Sequence, residues 1–162
     1  MAVDMFLKIG TIEGEANDKK KPKWIDVLAW SWGVSNSGTT HMGMGGGAGK
    51  ANVQDLSITK YVDASSHALL GACTTGEHFT TANLVVRKAA GKDKTIEYIK
   101  IDMEEVMITS ISTGGSGGED RLTENLSLNF AKVTYKYTPQ TEVGGEGVPL
   151  PMIYDIASNA SE

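Results

Sequence analysis

The sequence predicts a mainly β domain, a closed barrel or a two-sheet sandwich of around six strands with one short α-helix beside it. Three observations lead there. Apolar and polar residues alternate over several segments of strand length. Helical spacing is confined to one segment near residue 70. Glycine makes up 19 of 162 residues, about 12% against a usual share of about 7%. Twelve of the nineteen fall in three short stretches, 43–49, 114–118 and 144–147, which mark long loops and not a collagen-like repeat.

In chain order, Met5, Leu7 and Ile9 alternate with Phe6, Lys8 and Gly10, describing a strand covered in part on both faces. Residues 25–35 read as one continuous strand. From Ala29 its phases separate, with Trp30, Trp32 and Val34 on one side and Ala29, Ser31, Gly33 and Ser35 on the other. A face with two tryptophans belongs to a core or an interface; the opposite face is small, polar and flat. Val53 to Tyr61 is a further strand, with Leu56 and Ile58 on one face. Asp63-Ala64-Ser65-Ser66 offers N-cap residues. Ala68, Leu69, Ala72 and Cys73 then follow at helical spacing and Gly76 closes the segment, so a helix is expected over 66–74.

Residues 81–88 and 95–112 pair as a hairpin across 89–94, and the second arm is long enough to bend or to be broken by a bulge near Asp102-Met103. The last strand covers 122–137. Leu126, Leu128 and Phe130 share one parity and Val133, Tyr135 and Tyr137 the other, implying a bulge or a passage between sheets. From Pro139 onward, glycines and Pro149-Leu150-Pro151 describe an extended arm. The domain is thus placed at 1–138, with a glycine-rich loop at 37–50 and an arm or tail at 139–162.

Composition excludes several function classes. Twenty acidic against fifteen basic residues give a net charge of −5, and nucleic-acid binding needs a concentrated positive field. The basic run Lys19-Lys20-Lys21-Pro22-Lys23 is short and reads as a solvated loop before a strand. The single cysteine, Cys73, excludes an intrachain disulfide and fits a reducing compartment; among apolar neighbours it reads as a small buried residue. The N-terminus lacks the basic and apolar regions of a cleavable signal. No apolar run of about 18 residues predicts membrane insertion.

Enzymatic chemistry finds no constellation. The stretch Gly43-Met44-Gly45-Gly46-Gly47-Ala48-Gly49-Lys50-Ala51 resembles a phosphate loop only superficially. Met44 stands where that motif needs glycine, Ala51 where it needs Ser or Thr, and a strand follows instead of a helix. Gly114-Gly115-Ser116-Gly117-Gly118 likewise has no following helix. His41, His67 and His78 lie too far apart for a zinc spacing. Glu104-Glu105 point to opposite faces of a strand, and Glu119-Asp120 lie in a loop beside Arg121. No catalytic, metal or cofactor site is assigned.

Three blocks carry a resemblance: Ile25-Asp26-Val27-Leu28-Ala29-Trp30-Ser31-Trp32-Gly33, the glycine loop, and Ser112-Thr113-Gly114-Gly115-Ser116-Gly117-Gly118-Glu119-Asp120-Arg121-Leu122-Thr123-Glu124-Asn125. With Met1-Ala2-Val3-Asp4-Met5-Phe6 and Asn52-Val53-Gln54-Asp55-Leu56, they resemble the Hcp family, the haemolysin-coregulated proteins of bacterial type VI secretion systems. The resemblance runs as far as Tyr137. It implies a two-sheet β-barrel, similar to phage tail-tube proteins, flanked by one short helix. It further implies six-membered rings stacked into a tube inside a contractile sheath and capped by a spike protein. Effector proteins would bind in the ring's lumen. The protein would sit in the bacterial cytoplasm until firing and then be secreted, which accounts for export without a signal peptide.

On that resemblance Ala29, Ser31, Gly33 and Ser35 are expected to face the lumen, with Ser31 the effector contact. Gly43, Gly45, Gly46, Gly47, Gly49 and Lys50 are expected to form an assembly arm reaching an adjacent ring or subunit. The alternative from another class is a ligand- or carbohydrate-binding β-sandwich, which would use the tryptophans as an exposed binding surface.

Overall fold

A computed structural model describes residues 3–38, 50–90, 94–141 and 144–161. Six antiparallel strands close into a barrel: β1 (Val3–Ile9), β2 (Ile25–Ser31), β5 (Leu56–Tyr61), β6 (His78–Ala89), β7 (Thr95–Thr113) and β8 (Thr123–Tyr137). Around the barrel the order is β8-β5-β2-β1-β6-β7, and pairing of β7 with β8 closes it. The short strands β3 (Val34–Asn36) and β4 (Ala51–Val53) form a separate hairpin, and α1 (Ser66–Thr75) packs against β7.

Alternation fills the interior. Leu7, Ile9, Leu56, Ile58, Leu84, Ile101, Ile108 and Leu128 point inward and are buried. Phe6 has the opposite phase yet is also buried, because the Arg87 guanidinium covers its ring at 4.9 Å. In α1, Leu69 and Ala72 face the barrel, and Gly76 ends the helix in the left-handed region at φ 68°, where a residue without Cβ carries no steric penalty. Cys73 is half-buried against the core.

The strand expected over 25–35 is two strands. In β2, Ile25 and Val27 are buried, but the register against β5 shifts between Val27 and Ala29. That bulge moves the inward position to Trp30. Pairing with β5 stops at Ser31, and the chain turns at Trp32-Gly33 into the β3–β4 hairpin.

Of the bend or bulge expected near Asp102-Met103, the bulge is absent, since Ala82↔Met103 and Asn83↔Asp102 continue a regular ladder, and β7 instead changes face between Met103 and Val106. Irregularities lie instead at Val86/Arg87 and at Ile108/Ser110. The change of phase in β8 between Phe130 and Val133 is shared by β7. Val106 pairs with Phe130 and Met103 with Val133, all four buried. Glu105, at φ 53°, lies between the two inward sets on β7. Because both strands switch faces together, their register survives the corner.

Beyond Pro139 the chain returns to the barrel. β9 (Leu150–Asp155) pairs with Lys132–Tyr137 of β8, and β10 (Ala160–Ser161) pairs with β9. The sheet thus continues past the barrel, as two extra strands hung on β8.

The loop from Gly10 to Trp24 is fastened by Arg87, which is 4% exposed and donates from both terminal nitrogens to the Asp18 carboxylate. That hydrogen bond holds the Asp18 carboxyl well below the usual carboxylate range, against the opposing effect of burial. A depressed carboxylate pKa stabilises the fold above the unfolded value of about 3.9, and that contribution is lost as pH falls. Asp18→Asn is therefore expected to cost about 1.5–3 kcal/mol at pH 7, with the deficit shrinking below about pH 4. Urea unfolding at pH 7 and pH 3 checks this; equal deficits at both would refute it.

Candidate functional site

The outer face of β2, β5, β8 and β7 is built from small uncharged residues in register. Ser31 pairs with Ser57, Ser57 with Ser127, and Ser127 with Ser110, placing four serines in one row across four strands. The neighbouring row is Ala29, Thr59, Asn125 and Ser112. Period-two geometry explains the pattern, because Trp30, Ile58, Leu126 and Ile111 alternate with these residues and pack on the core. No charged side chain occurs in either row.

The face is hydrogen-bonded within itself. Thr59 donates to the Asn125 side-chain oxygen at 2.7 Å, and the hydroxyls of Ser110 and Ser127 lie 2.5 Å apart. At one edge Asp55 accepts from Thr109 at 2.7 Å and from Asn129 at 2.9 Å. At the other edge the Arg121 guanidinium lies 3.8 Å from the centre of the Tyr61 ring. Ala29, Ser31, Ser57, Ser110, Ser112 and Asn125 are exposed. Such a surface is wetted by water and offers many weak donors and acceptors, but neither a strong charge nor an apolar pocket.

Of the four residues expected to share a flat face, Ala29 and Ser31 lie on it. Gly33 follows the end of β2, and the Gln54 side chain sits 3.2 Å from where a Cβ would be. Ser35 belongs to the β3–β4 hairpin, paired with Asn52. The break at Trp32-Gly33 separates them. The face has six further members that sequence patterning alone does not mark: Ser57, Thr59, Ser110, Ser112, Asn125 and Ser127. Their signal was there as Ser-x-Thr, Ser-x-Ser and Asn-x-Ser at period two, but only strand adjacency joins the three pairs into one surface.

Gly43, Gly45, Gly46, Gly47 and Gly49 lie outside the described residues. Lys50 is exposed immediately before β4. Trp30 and Trp32 pack against the core, Trp32 with its ring centre 6.3 Å from Phe130 and 6.4 Å from Tyr135. They form no open aromatic surface, which removes the observation that favoured a carbohydrate binder. An apolar cleft of about 240 Å³ lies beside Trp32, lined also by Val34, Val53, Met152 and Tyr154.

Among the described residues no group of three or more His, Cys, Asp or Glu side chains could hold a metal ion, and no helix is long and apolar enough to cross a membrane. Asp26 has its carboxyl pushed above the ordinary range by burial and then by the charge of Asp63. It lies on β2, and among the described residues no nucleophile is in hydrogen bond with it.

Comparison with known proteins places these features. A family model described as "Type VI secretion system effector, Hcp" matches residues 6–137. The chain is 56% identical over 160 residues to "Protein hcp1" of Pseudomonas aeruginosa (strain PAO1), covering 98% of each. Among solved structures, it superposes on "Structure of a type six secretion system protein" with a TM-score of 0.91 at 31% identity, covering 99% of this chain and 100% of the other. The crystal structure of Hcp1 from Salmonella typhimurium matches with a TM-score of 0.82 at 34% identity, covering 100% of both chains.

Proposed function

The chain belongs to the Hcp family of type VI secretion system proteins, and on that premise we propose that it is a structural tube component that carries effector proteins. Six copies form a ring, rings stack into the inner tube within the contractile sheath, and a spike protein caps the stack. The assembled protein waits in the bacterial cytoplasm and leaves the cell when the sheath fires.

The two hydroxyl rows support this reading. If the β2-β5-β8-β7 face turns inward, it gives each ring a neutral, wet bore. Cargo there is held by many weak hydrogen bonds that water readily replaces. The bore therefore retains a protein without trapping it. Ser31 lies at the β2 edge of this face, exposed and paired with Ser57.

The first test is mass in solution: a stable species near six times 17.3 kDa is expected, and a monomer at all concentrations would refute the ring. The second is Ser31→Gln. The ring should persist, while effector recovered with it falls about tenfold, equivalent to about 1.4 kcal/mol. Unchanged effector recovery would remove this face from cargo binding. The glycines of 43–49 are proposed, with Lys50, to reach the adjacent ring or subunit. Deleting 43–47 is expected to leave rings but reduce stacking.

A further inference from the structure

A chain of hydroxyls on the β2-β5-β8-β7 face ends on a carboxylate, and we infer that this face takes its cargo through hydrogen-bond donors, a lysine- or arginine-bearing segment, with Asp55 as the anchor. The inference rests on the cargo reading above and adds the chemical class of the segment that is held.

A bulge builds the chain. Ile108 pairs with Leu128 and Ser110 with Ser127, so Thr109 is the extra residue of β7. A bulge sets two residues of one strand against one of its partner and re-aims their side chains. Both hydroxyls reach Ser127: Ser110 Oγ lies 2.5 Å and Thr109 Oγ1 2.7 Å from Ser127 Oγ. Thr109 Oγ1 also lies 2.7 Å from one carboxylate oxygen of Asp55, and the other oxygen accepts from Asn129 at 2.9 Å.

The carboxylate sets the direction of every proton in the chain. It can only accept, and a hydrogen bond to a charged acceptor is roughly twice as strong as a neutral one. Thr109 therefore donates to Asp55, Ser127 to Thr109 and Ser110 to Ser127. A hydroxyl has a single proton and two lone pairs, so these three offer a ligand lone pairs alone. Thr59 likewise directs its proton to Asn125. Asp55 adds further acceptor sites and a negative charge, and among the described residues it makes no ion pair.

The charges bordering the face agree in sign. Toward the Asp55 edge, Glu104, Glu105 and Asp155 accompany Lys50, Lys132 and His78. Lys132 is paired with Glu104 across one ladder and with Asp155 across the other. With Asp55 the acids outnumber the cations there even when His78 is protonated. At the far edge Glu119 lines a polar cavity of about 320 Å³ with Ser112, Thr113 and Asn125, while Arg121 lies over Tyr61. A cationic donor meets acceptors on this face, whereas an acidic segment meets lone pairs and repulsion.

Two fluorescein-labelled peptides test this, one alternating lysine with serine and one alternating glutamate with serine. Titrated into purified rings at about 50 mM salt, where charge is weakly screened, the lysine peptide should bind about tenfold more tightly by fluorescence anisotropy. Asp55→Asn keeps the size of the side chain and removes its charge. It should weaken the lysine peptide by about tenfold, as expected for a hydrogen bond to a charged group. Thr109→Val keeps the carboxylate but cuts the chain, and should weaken it by about threefold. Glu77→Gln makes the same change in net charge at an exposed position off this face and should change nothing. If Asp55→Asn fails to assemble, Thr109→Val decides by itself. Parent rings that bind both peptides alike would overturn the inference and leave the cargo reading standing. So would a loss in Asp55→Asn that Glu77→Gln matches, since the whole molecule's charge would then explain it. A chain that never forms rings would overturn both.

Discussion

Glu124→Gln is expected to lower the stability of the chain by about 3 kcal/mol, the low end for breaking a buried ion pair by removing one of its members. Lys60 is 0% exposed and Glu124 1%. They face each other across the β5–β8 ladder, and the Lys60 ammonium donates to the Glu124 carboxylate. Ser66, at the start of α1, donates to the same carboxylate oxygen at 2.6 Å, and Asp63 lies 3.1 Å from the Lys60 nitrogen. The cluster joins two barrel strands to the helix. Glutamine keeps the shape and removes the charge, leaving Lys60 with Asp63 alone. Lys60→Met combined with Glu124→Leu should lose less than the sum of the two single changes, because the Lys60–Glu124 pair is removed as a unit and only Asp63, at the edge of the cluster, loses its cation. Guanidinium unfolding of Glu124→Gln, Lys60→Met, Glu124→Leu and the double variant decides the matter. A Glu124→Gln loss below about 1 kcal/mol would show that water reaches the pair.

Trp32→Ala is expected to cost about 3 kcal/mol, the low end for removing a large aromatic, since the ring is only partly buried. Trp32 fills the space between the barrel and the β3–β4 hairpin, touching Phe130 and Tyr135. Its indole N–H donates to the Gln54 carbonyl at 2.9 Å. Without it the hairpin keeps Val53 against the core but loses an aromatic attachment at the base of the 37–50 loop. Trp32→Phe keeps apolar contact and loses the hydrogen bond, so about 1 kcal/mol is expected. Thermal melts followed by near-ultraviolet circular dichroism, with limited proteolysis between 37 and 50, read both effects. Equal melts for the alanine variant and the parent would contradict the packing role.

Family membership and the main barrel strands and helix were readable from residue order, but not the break of 25–35 into two strands or the pairing of β9 and β10. The alternation of β1, the helix ended by Gly76 and the long hairpin arms are local properties, governed by backbone geometry within a few residues. So is the parity that aims Lys60 and Glu124 inward beside Ile58 and Leu126. Their partnership is not local: 64 positions separate them in the chain. Parity alone shows two charges aimed at a core, and only the adjacency of β5 and β8 shows that they neutralise each other.

The same division runs through the candidate site. Ser31 is legible in the sequence because its own strand displays a flat polar phase. Ser57, Ser127 and Ser110 look like ordinary solvent-facing positions until barrel closure sets the four serines in one row. The unbroken strand expected over 25–35 failed for a related reason. Nothing in Val27-Leu28-Ala29 marks a bulge, which arises from matching β2 to β5 while Trp30 turns into the core.

Residue order thus determined the all-β character, the single helix, the loop positions and the family. Tertiary structure alone decided which strands are neighbours, where register slips, and which side chains share a surface. The physical reason is that alternation and capping act within a few residues, whereas a surface row or a buried ion pair exists only once distant strands hydrogen-bond side by side.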